Sequence, residues 1–165
     1  MKTIAVYPGS FDPFHIGHFD IYSQACELFD KVYISVGMNR NKQNSLTMNQ
    51  RVEIIHKQLG AEVDVSAYNC LFTDHFEYLN SIYGNRLTHV VRGLRTGDDL
   101  ESEINMRKII HDINKDIQFV YLLPTDPALY HITSSMIREL MSYGGKLANK
   151  YIYNSKNLEY TGNLT

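Results

Sequence analysis

What most limits the fold of this chain is a repeated exchange between short apolar runs and longer stretches with helical spacing. Ile4-Ala5-Val6-Tyr7 is an apolar run halted by Pro8-Gly9, which has the form of a buried strand. Residues 17–29 follow, with Ile21, Ala25, Cys26 and Phe29 at helical spacing. Val32, Ile34 and Val36 then alternate across residues 31–36, as a strand requires. Thr47-Met48-Asn49-Gln50 has the capping-box form, in which two orphan amides of a helix start are satisfied reciprocally, and Val52, Ile55 and Leu59 continue that helix. The same reasoning predicts strands at 62–66, 88–91 and 117–123, and helices at 72–83, 98–114 and 133–142, with Asp98 capping the second of these helices. Strands separated by helices of this length join as right-handed crossover units. The expected fold is therefore a single-domain α/β, Rossmann-like, doubly wound parallel sheet of about five strands with flanking helices.

The length of 165 residues fits one domain, expected over 1–152, with 153–165 as a polar tail. Sixteen Lys and Arg against eighteen Asp and Glu leave a formal charge of −2. That excludes a basic nucleic-acid arm, whose phosphate contacts need an excess of cations. No run of about 18 apolar residues is present to span a membrane. The apolar run at 4–7 is too short for the core of a secretory leader. Cys26 and Cys70 make neither a disulfide framework nor a four-ligand zinc site, so a reducing cytoplasm is the expected setting.

Functional groups of parallel sheets gather at the carboxyl ends of strands, where the winding reverses. The unusual motifs of this chain all fall in such loops. After the first strand comes Gly9-Ser10-Phe11-Asp12-Pro13-Phe14-His15-Ile16-Gly17-His18. Gly9 suits a turn, Gly17 is expected to open a helix, and two imidazoles beside a helix N-terminus can donate to phosphate oxygens. A plain capping or surface role for either histidine remains the alternative. After the second strand come Arg40 and Lys42, in a loop that is ordinarily solvated. After the fourth, Arg92-Gly93-Leu94-Arg95 offers two guanidinium forks suited to phosphate, unless they pair with Asp98 and Asp99. After the fifth, His131-Ile132-Thr133-Ser134-Ser135 places hydroxyls and free amides at a helix start, as an anion site or as simple caps. Gly144-Gly145-Lys146 fits neither a dinucleotide fingerprint nor a phosphate loop, and is expected to end a helix.

Together these motifs resemble the signature of the nucleotidyltransferase superfamily. Within it, Gly-Ser-Phe-Asp-Pro before Gly-His, followed by Arg-Gly-Leu-Arg, is similar to the phosphopantetheine adenylyltransferases over about residues 3–143. The resemblance implies transfer of the adenylyl group of ATP to 4'-phosphopantetheine by direct in-line attack, with no covalent enzyme intermediate. It implies His18, Lys42 and Arg95 as catalytic residues. It implies an ATP site of Ser10, Phe11, His18, Gly93, Leu94, Arg95, Glu103, Leu129, Tyr130, His131, Ile132, Thr133, Ser134 and Ser135. It implies a phosphopantetheine site of Ser10, Lys42, Phe72 and Arg92. Mg²⁺ would be held mainly by the ATP phosphates, not by side chains. A homohexamer and inhibition by coenzyme A belong to the same likeness. The overall −2 would then conceal a cationic cluster of Lys42, Arg92 and Arg95 beside His18.

The sequence departs from that family at His15, usually Thr, at Ile110, often Asn, and at Ser102, commonly Tyr. Two other readings stay open. One is a nucleotidyltransferase for another acceptor, such as nicotinamide mononucleotide. The other is a non-catalytic nucleotide-binding regulator on the same scaffold. A class I aminoacyl-tRNA synthetase shares His-x-Gly-His, but this chain is too short and lacks the lysine-rich signature loop.

Overall fold

The computed structural model describes residues 3–38, 45–84 and 86–153. Five strands, β1 (Ile4–Gly9), β2 (Lys31–Gly37), β3 (Val65–Tyr68), β4 (Leu87–Gly93) and β5 (Gln118–Leu122), form one parallel sheet in the order β3-β2-β1-β4-β5. Five α-helices follow them: α1 (Ile16–Leu28), α2 (Met48–Leu59), α3 (Phe72–Ile82), α4 (Gly97–Ile113) and α5 (Ser134–Ser142). The chain winds outward from β1 to β3, then returns across the sheet to β4. The winding reverses between β1 and β4, which places a crevice at their carboxyl ends.

Period-two alternation assigns the strand residues to the two faces. Ala5, Tyr7, Ile34 and Val36 pack with Ile21 and Ala25 of α1 and Ile55 of α2. Ile4, Val6 and Val90 pack on the other face with Phe76 and Leu79 of α3 and Ile110 of α4. A third cluster joins Leu129, Ile132, Ile137 and Ala148, and Ile16 packs against it. The amide of Ile16 donates to Tyr151 O at 2.9 Å, so the far end of the described chain is tied to the start of α1.

Several expected boundaries move. β3 runs later than residues 62–66, because pairing Ile34 with Val65 and Gly37 with Tyr68 brings its carboxyl end level with that of β2. α4 is capped by Thr96, whose Oγ1 accepts from Asp99 N at 3.3 Å, not by Asp98. Asp98 and Asp99 instead occupy the first turn, where negative charge suits the helix dipole. α1 opens at Ile16, one residue before Gly17. Gly144 and Gly145, both at positive φ, follow the end of α5 as expected.

Candidate active site

A cleft of about 290 Å³ lies at the carboxyl ends of β1 and β4, near the lower size limit of small-molecule sites. Its first wall is the loop after β1. Gly9 ends the strand here without turning it. A Cβ on Gly9 would lie 2.6 Å from the Phe11 ring, so glycine is needed for close approach. Phe11 sits at φ +47, in the left-handed region that aromatic residues rarely adopt. Its ring is buried beside Phe14, and both rings pack against His18.

His15 caps α1. Its Nδ1 accepts from Gly17 N at 3.1 Å and from His18 N at 3.3 Å, while His18 Nδ1 accepts from His15 N at 3.3 Å. The result is a capping box built from two histidines. The capping role open from sequence is therefore realised at His15, and through it His18 is oriented. A backbone amide can only donate, so Nδ1 of His18 is unprotonated and Nε2 carries the ring proton in the neutral imidazole. The rings stack with centroids 3.6 Å apart. Burial, helped by the charge of Arg95, pushes the pKa of His15 down to about 3, which keeps it neutral.

The second wall is the end of β4. Arg92 donates through Nε to Glu103 Oε2 at 2.8 Å, through Nη2 to Glu103 Oε1, and through Nη1 to Pro8 O at 2.7 Å. Burial is the largest influence on Arg92 and opposes its charge, but the hydrogen bonds and charge of Glu103, with Tyr7 and Tyr68, outweigh it and raise the pKa. Arg95 pairs with Asp99, through Nε to Oδ2 at 3.2 Å and Nη2 to Oδ1 at 3.3 Å. Of the two pairings with Asp98 and Asp99 considered from sequence, one forms. The partner of Arg92 is Glu103.

The third wall is the start of α5. Thr133 is a plain N-cap, its Oγ1 accepting from Met136 N at 3.0 Å. Ser134 Oγ donates to Pro13 O at 3.1 Å, and Arg138 donates to Asp12 O at 2.6 Å and to Ser135 Oγ at 3.1 Å. The N-terminus of α5 thus faces the cleft with its amide dipoles, a favourable place for an anion.

Ser10, Phe11, His18, Arg92, Gly93, Leu94, Arg95 and Glu103 all line this cleft, with Leu129, Ile132, Thr133, Ser134 and Ser135. Tyr130 and His131 adjoin that segment but are not in the lining, and His131 is exposed. Phe72 packs against the α3 side of the core, outside the lining. Lys42 and Arg40, and residues 154–165 of the expected tail, lie outside the described residues.

The charge of the described lining is balanced, while Lys42, the remaining cation of the expected cluster, lies outside the described residues. Arg92, Arg95 and Arg138 each face a carboxylate, in Glu103, Asp99 and Asp12 respectively. Arg138 has no motif of its own. Its signal is spacing alone, since it follows Ser135 by three residues and Ser134 by four, and so returns to their side of α5. Asp12, 2% exposed, also accepts from Ser45 N at 2.8 Å and Ser45 Oγ at 3.0 Å. No group of three or more His, Cys, Asp or Glu able to hold a metal occurs among the described residues. No helix among them is long and apolar enough to cross a membrane.

Residues 6–140 match the family model described as cytidylyltransferase-like. A phosphopantetheine adenylyltransferase of Nautilia profundicola is 31% identical over 151 residues, covering 90% of this chain and 94% of the relative. One of Phocaeicola vulgatus is 37% identical over 144 residues, covering 85% and 89%. The solved bifunctional NMN adenylyltransferase/ADP ribose pyrophosphatase of Francisella tularensis superposes with a TM-score of 0.67 at 19% identity, covering 95% of this chain and 46% of that one, a likeness of fold. With a matched model over most of its length and relatives of this identity over 85–90% of it, the chain belongs to the cytidylyltransferase-like family and, within it, to the phosphopantetheine adenylyltransferases.

Proposed function

We propose that this chain transfers the adenylyl group of ATP to 4'-phosphopantetheine, giving dephospho-coenzyme A and pyrophosphate, a step of coenzyme A biosynthesis. The observation that carries the reading is the convergence of His18, Arg95 and the α5 N-terminus on one cleft, in a chain whose relatives bear that name. An oxygen of the acceptor phosphate attacks the α-phosphorus of ATP. The bond from that phosphorus to the α,β-bridging oxygen breaks, and pyrophosphate leaves with its electron pair. The attacking phosphate is already ionised near neutrality, so no general base is required. His15, neutral and engaged in capping, is not placed to serve as one.

The barrier is the mutual repulsion of two anions, and it is lowered by positioning and preorganised charge. His18, donating through Nε2–H, and Arg95 stabilise charge on the α- and β-phosphates as pyrophosphate departs. Arg92, Ser10 and Lys42 orient the acceptor phosphate, and Phe72 meets its organic arm. Gly93, Leu94, Glu103 and the segment from Leu129 through Tyr130, His131, Ile132 and Thr133 to Ser135 hold the nucleotide. Arg95 is about one-third exposed in its pair with Asp99, and such a pair is worth only about 0–1 kcal/mol. A phosphate can therefore take over the guanidinium at small cost. Mg²⁺ would be held mainly by the nucleotide, not by side chains, and would supply further charge neutralisation there. The described residues fit that role because their carboxylates at the cleft are already engaged by arginines or by Ser45.

A cytoplasmic homo-oligomer, a hexamer by family likeness, with coenzyme A as inhibitor, completes the proposal. Exposed apolar residues on α4 (Leu100, Ile104, Met106, Ile109 and Ile113), beside the buried Ile110, support the oligomer alone. The deciding assay incubates the protein with ATP, Mg²⁺ and each acceptor and follows pyrophosphate. Release with 4'-phosphopantetheine is expected. Release with nicotinamide mononucleotide alone would favour the other acceptor class, and no release at all would favour a non-catalytic nucleotide binder.

A further inference from the structure

Arg51 of α2 is 1% exposed and heads the fully buried side chains by volume, yet it is absent from the lining of the cleft. Its partners are backbone carbonyls. Nη1 donates to Ser10 O at 2.6 Å and to Gly37 O at 3.1 Å, and Nε donates to Thr47 O at 3.4 Å. A buried charge is costly unless its donors are satisfied, and an apolar side chain of similar volume would fill the space without that cost. Packing alone therefore does not account for a guanidinium here.

The three carbonyls have one thing in common. Ser10 lies on the loop after β1 that lines the cleft. Gly37 is the last residue of β2, and Thr47 caps α2. Gly37 and Thr47 flank the connection that carries Lys42. One guanidinium thus ties the loop after β1 to both roots of that connection.

The geometry points to Arg51 as a positioning residue for the reaction, one that sets the loop after β1 in register with the roots of the Lys42 connection. The Ser10–Phe11 peptide is trans, so turning its carbonyl toward Arg51 turns the Phe11 amide away from Arg51. On the other side of Phe11, the carbonyl of Asp12 is held by Arg138 at 2.6 Å. Phe11 keeps its left-handed backbone between two guanidinium grips. Loss of one grip lets the loop relax, and a misplacement of about 1 Å in such a site costs on the order of 10²-fold in rate.

This inference rests on the adenylyl transfer proposed above, so wild-type protein is assayed in parallel. Arg51→Met and Arg51→Lys are each compared for thermal midpoint, kcat, and KM for ATP and for 4'-phosphopantetheine. Arg51→Met is expected to fold and to lose on the order of 10²-fold in kcat. Its KM for ATP should move much less, because the contacts at β4 and α5 are intact. Arg51→Lys, which keeps the charge but cannot span separated carbonyls as a planar fork does, should regain part of the rate. A folded Arg51→Met protein with near-normal kcat overturns the inference. So does Arg51→Lys at the full wild-type rate. Failure of both variants to fold assigns Arg51 to stability alone, and also overturns it. If wild-type protein leaves phosphopantetheine unchanged, the reading of the reaction fails instead, and the same comparison is made with whichever acceptor it does adenylylate.

Discussion

His15 and His18 cap each other: each ring accepts the backbone amide of the other, and the two imidazoles stack 3.6 Å apart. The pairing fixes both the orientation and the tautomer of His18. His18→Ala is expected to leave the fold intact and to lower kcat by about 10²–10³, the usual loss when a preorganised donor to a developing oxyanion is removed. Circular dichroism with steady-state kinetics checks this, and near-normal turnover of the folded variant would sink the role of His18.

His15→Ala removes the cap and costs about 1 kcal/mol of stability. It also frees His18 to rotate, so kcat should fall as well. His15→Thr restores a side-chain acceptor at the cap and should recover both stability and rate over His15→Ala. A Thr variant no better than Ala in either measure would show that the cap has no part in setting His18.

Two buried histidines make the fold sensitive to acid. Burial lowers the pKa of His15 to about 3 and that of His75 to about 4, both below the usual value near 6.5. Between those limits the unfolded chain binds protons that the folded chain refuses, so stability rises with pH there and falls as pH drops from about 6.5 toward 4. His75 also hydrogen-bonds Ser35 at 2.9 Å, a partner that glutamine can keep. His75→Gln should flatten the curve of unfolding free energy against pH over that window, as measured by denaturant titration. An unchanged slope would exclude His75 as a contributor.

The two arginine pairs of β4 should respond differently to loss of their acids. Glu103 is mostly buried, and Glu103→Ala leaves Arg92 with unmet donors, at a cost of about 1–3 kcal/mol. Asp99→Ala opens a pair that is one-third exposed and should cost within about 1 kcal/mol. Paired thermal melts test the order. Equal destabilisation would contradict the burial argument.

Chelation with EDTA should abolish turnover while leaving the thermal midpoint of the nucleotide-free protein unchanged, since the described residues offer no metal cage. Stoichiometric metal retained by the nucleotide-free protein would refute this.

The homo-oligomer proposed above requires that Met106, Ile109 and Ile113, exposed on one side of α4, be covered in it. Ile109→Lys is expected to shift sedimentation toward smaller species without loss of helicity. A wild-type protein that sediments as a monomer would remove the proposal.

The alternation of apolar runs and helical periods carries the fold into the sequence, because each strand residue reports its face by parity. Boundaries are less legible where tertiary register decides them. β3 starts at Val65 because Ile34 is its partner, which no local pattern reveals. The cleft is readable where several special residues stand together, as at Ser10 to His18 and Arg92 to Arg95. It is unreadable where one ordinary charge acts over distance. Arg51 resembles any polar residue on an amphipathic helix until Ser10 O and Gly37 O are brought to it. The likeness implies Glu103 as a neighbour of ATP, while its grip on Arg92 depends on the β4-to-α4 packing.

The links from Ser134 to Pro13 and from Arg138 to Asp12 span 121 and 126 residues of sequence. All five strands are therefore synthesised before either bond can form. The site is completed by a helix that follows all five strands in sequence, so its third wall cannot form until α5 has been synthesised. A product truncated before α5 would keep every strand and have no third wall to its cleft.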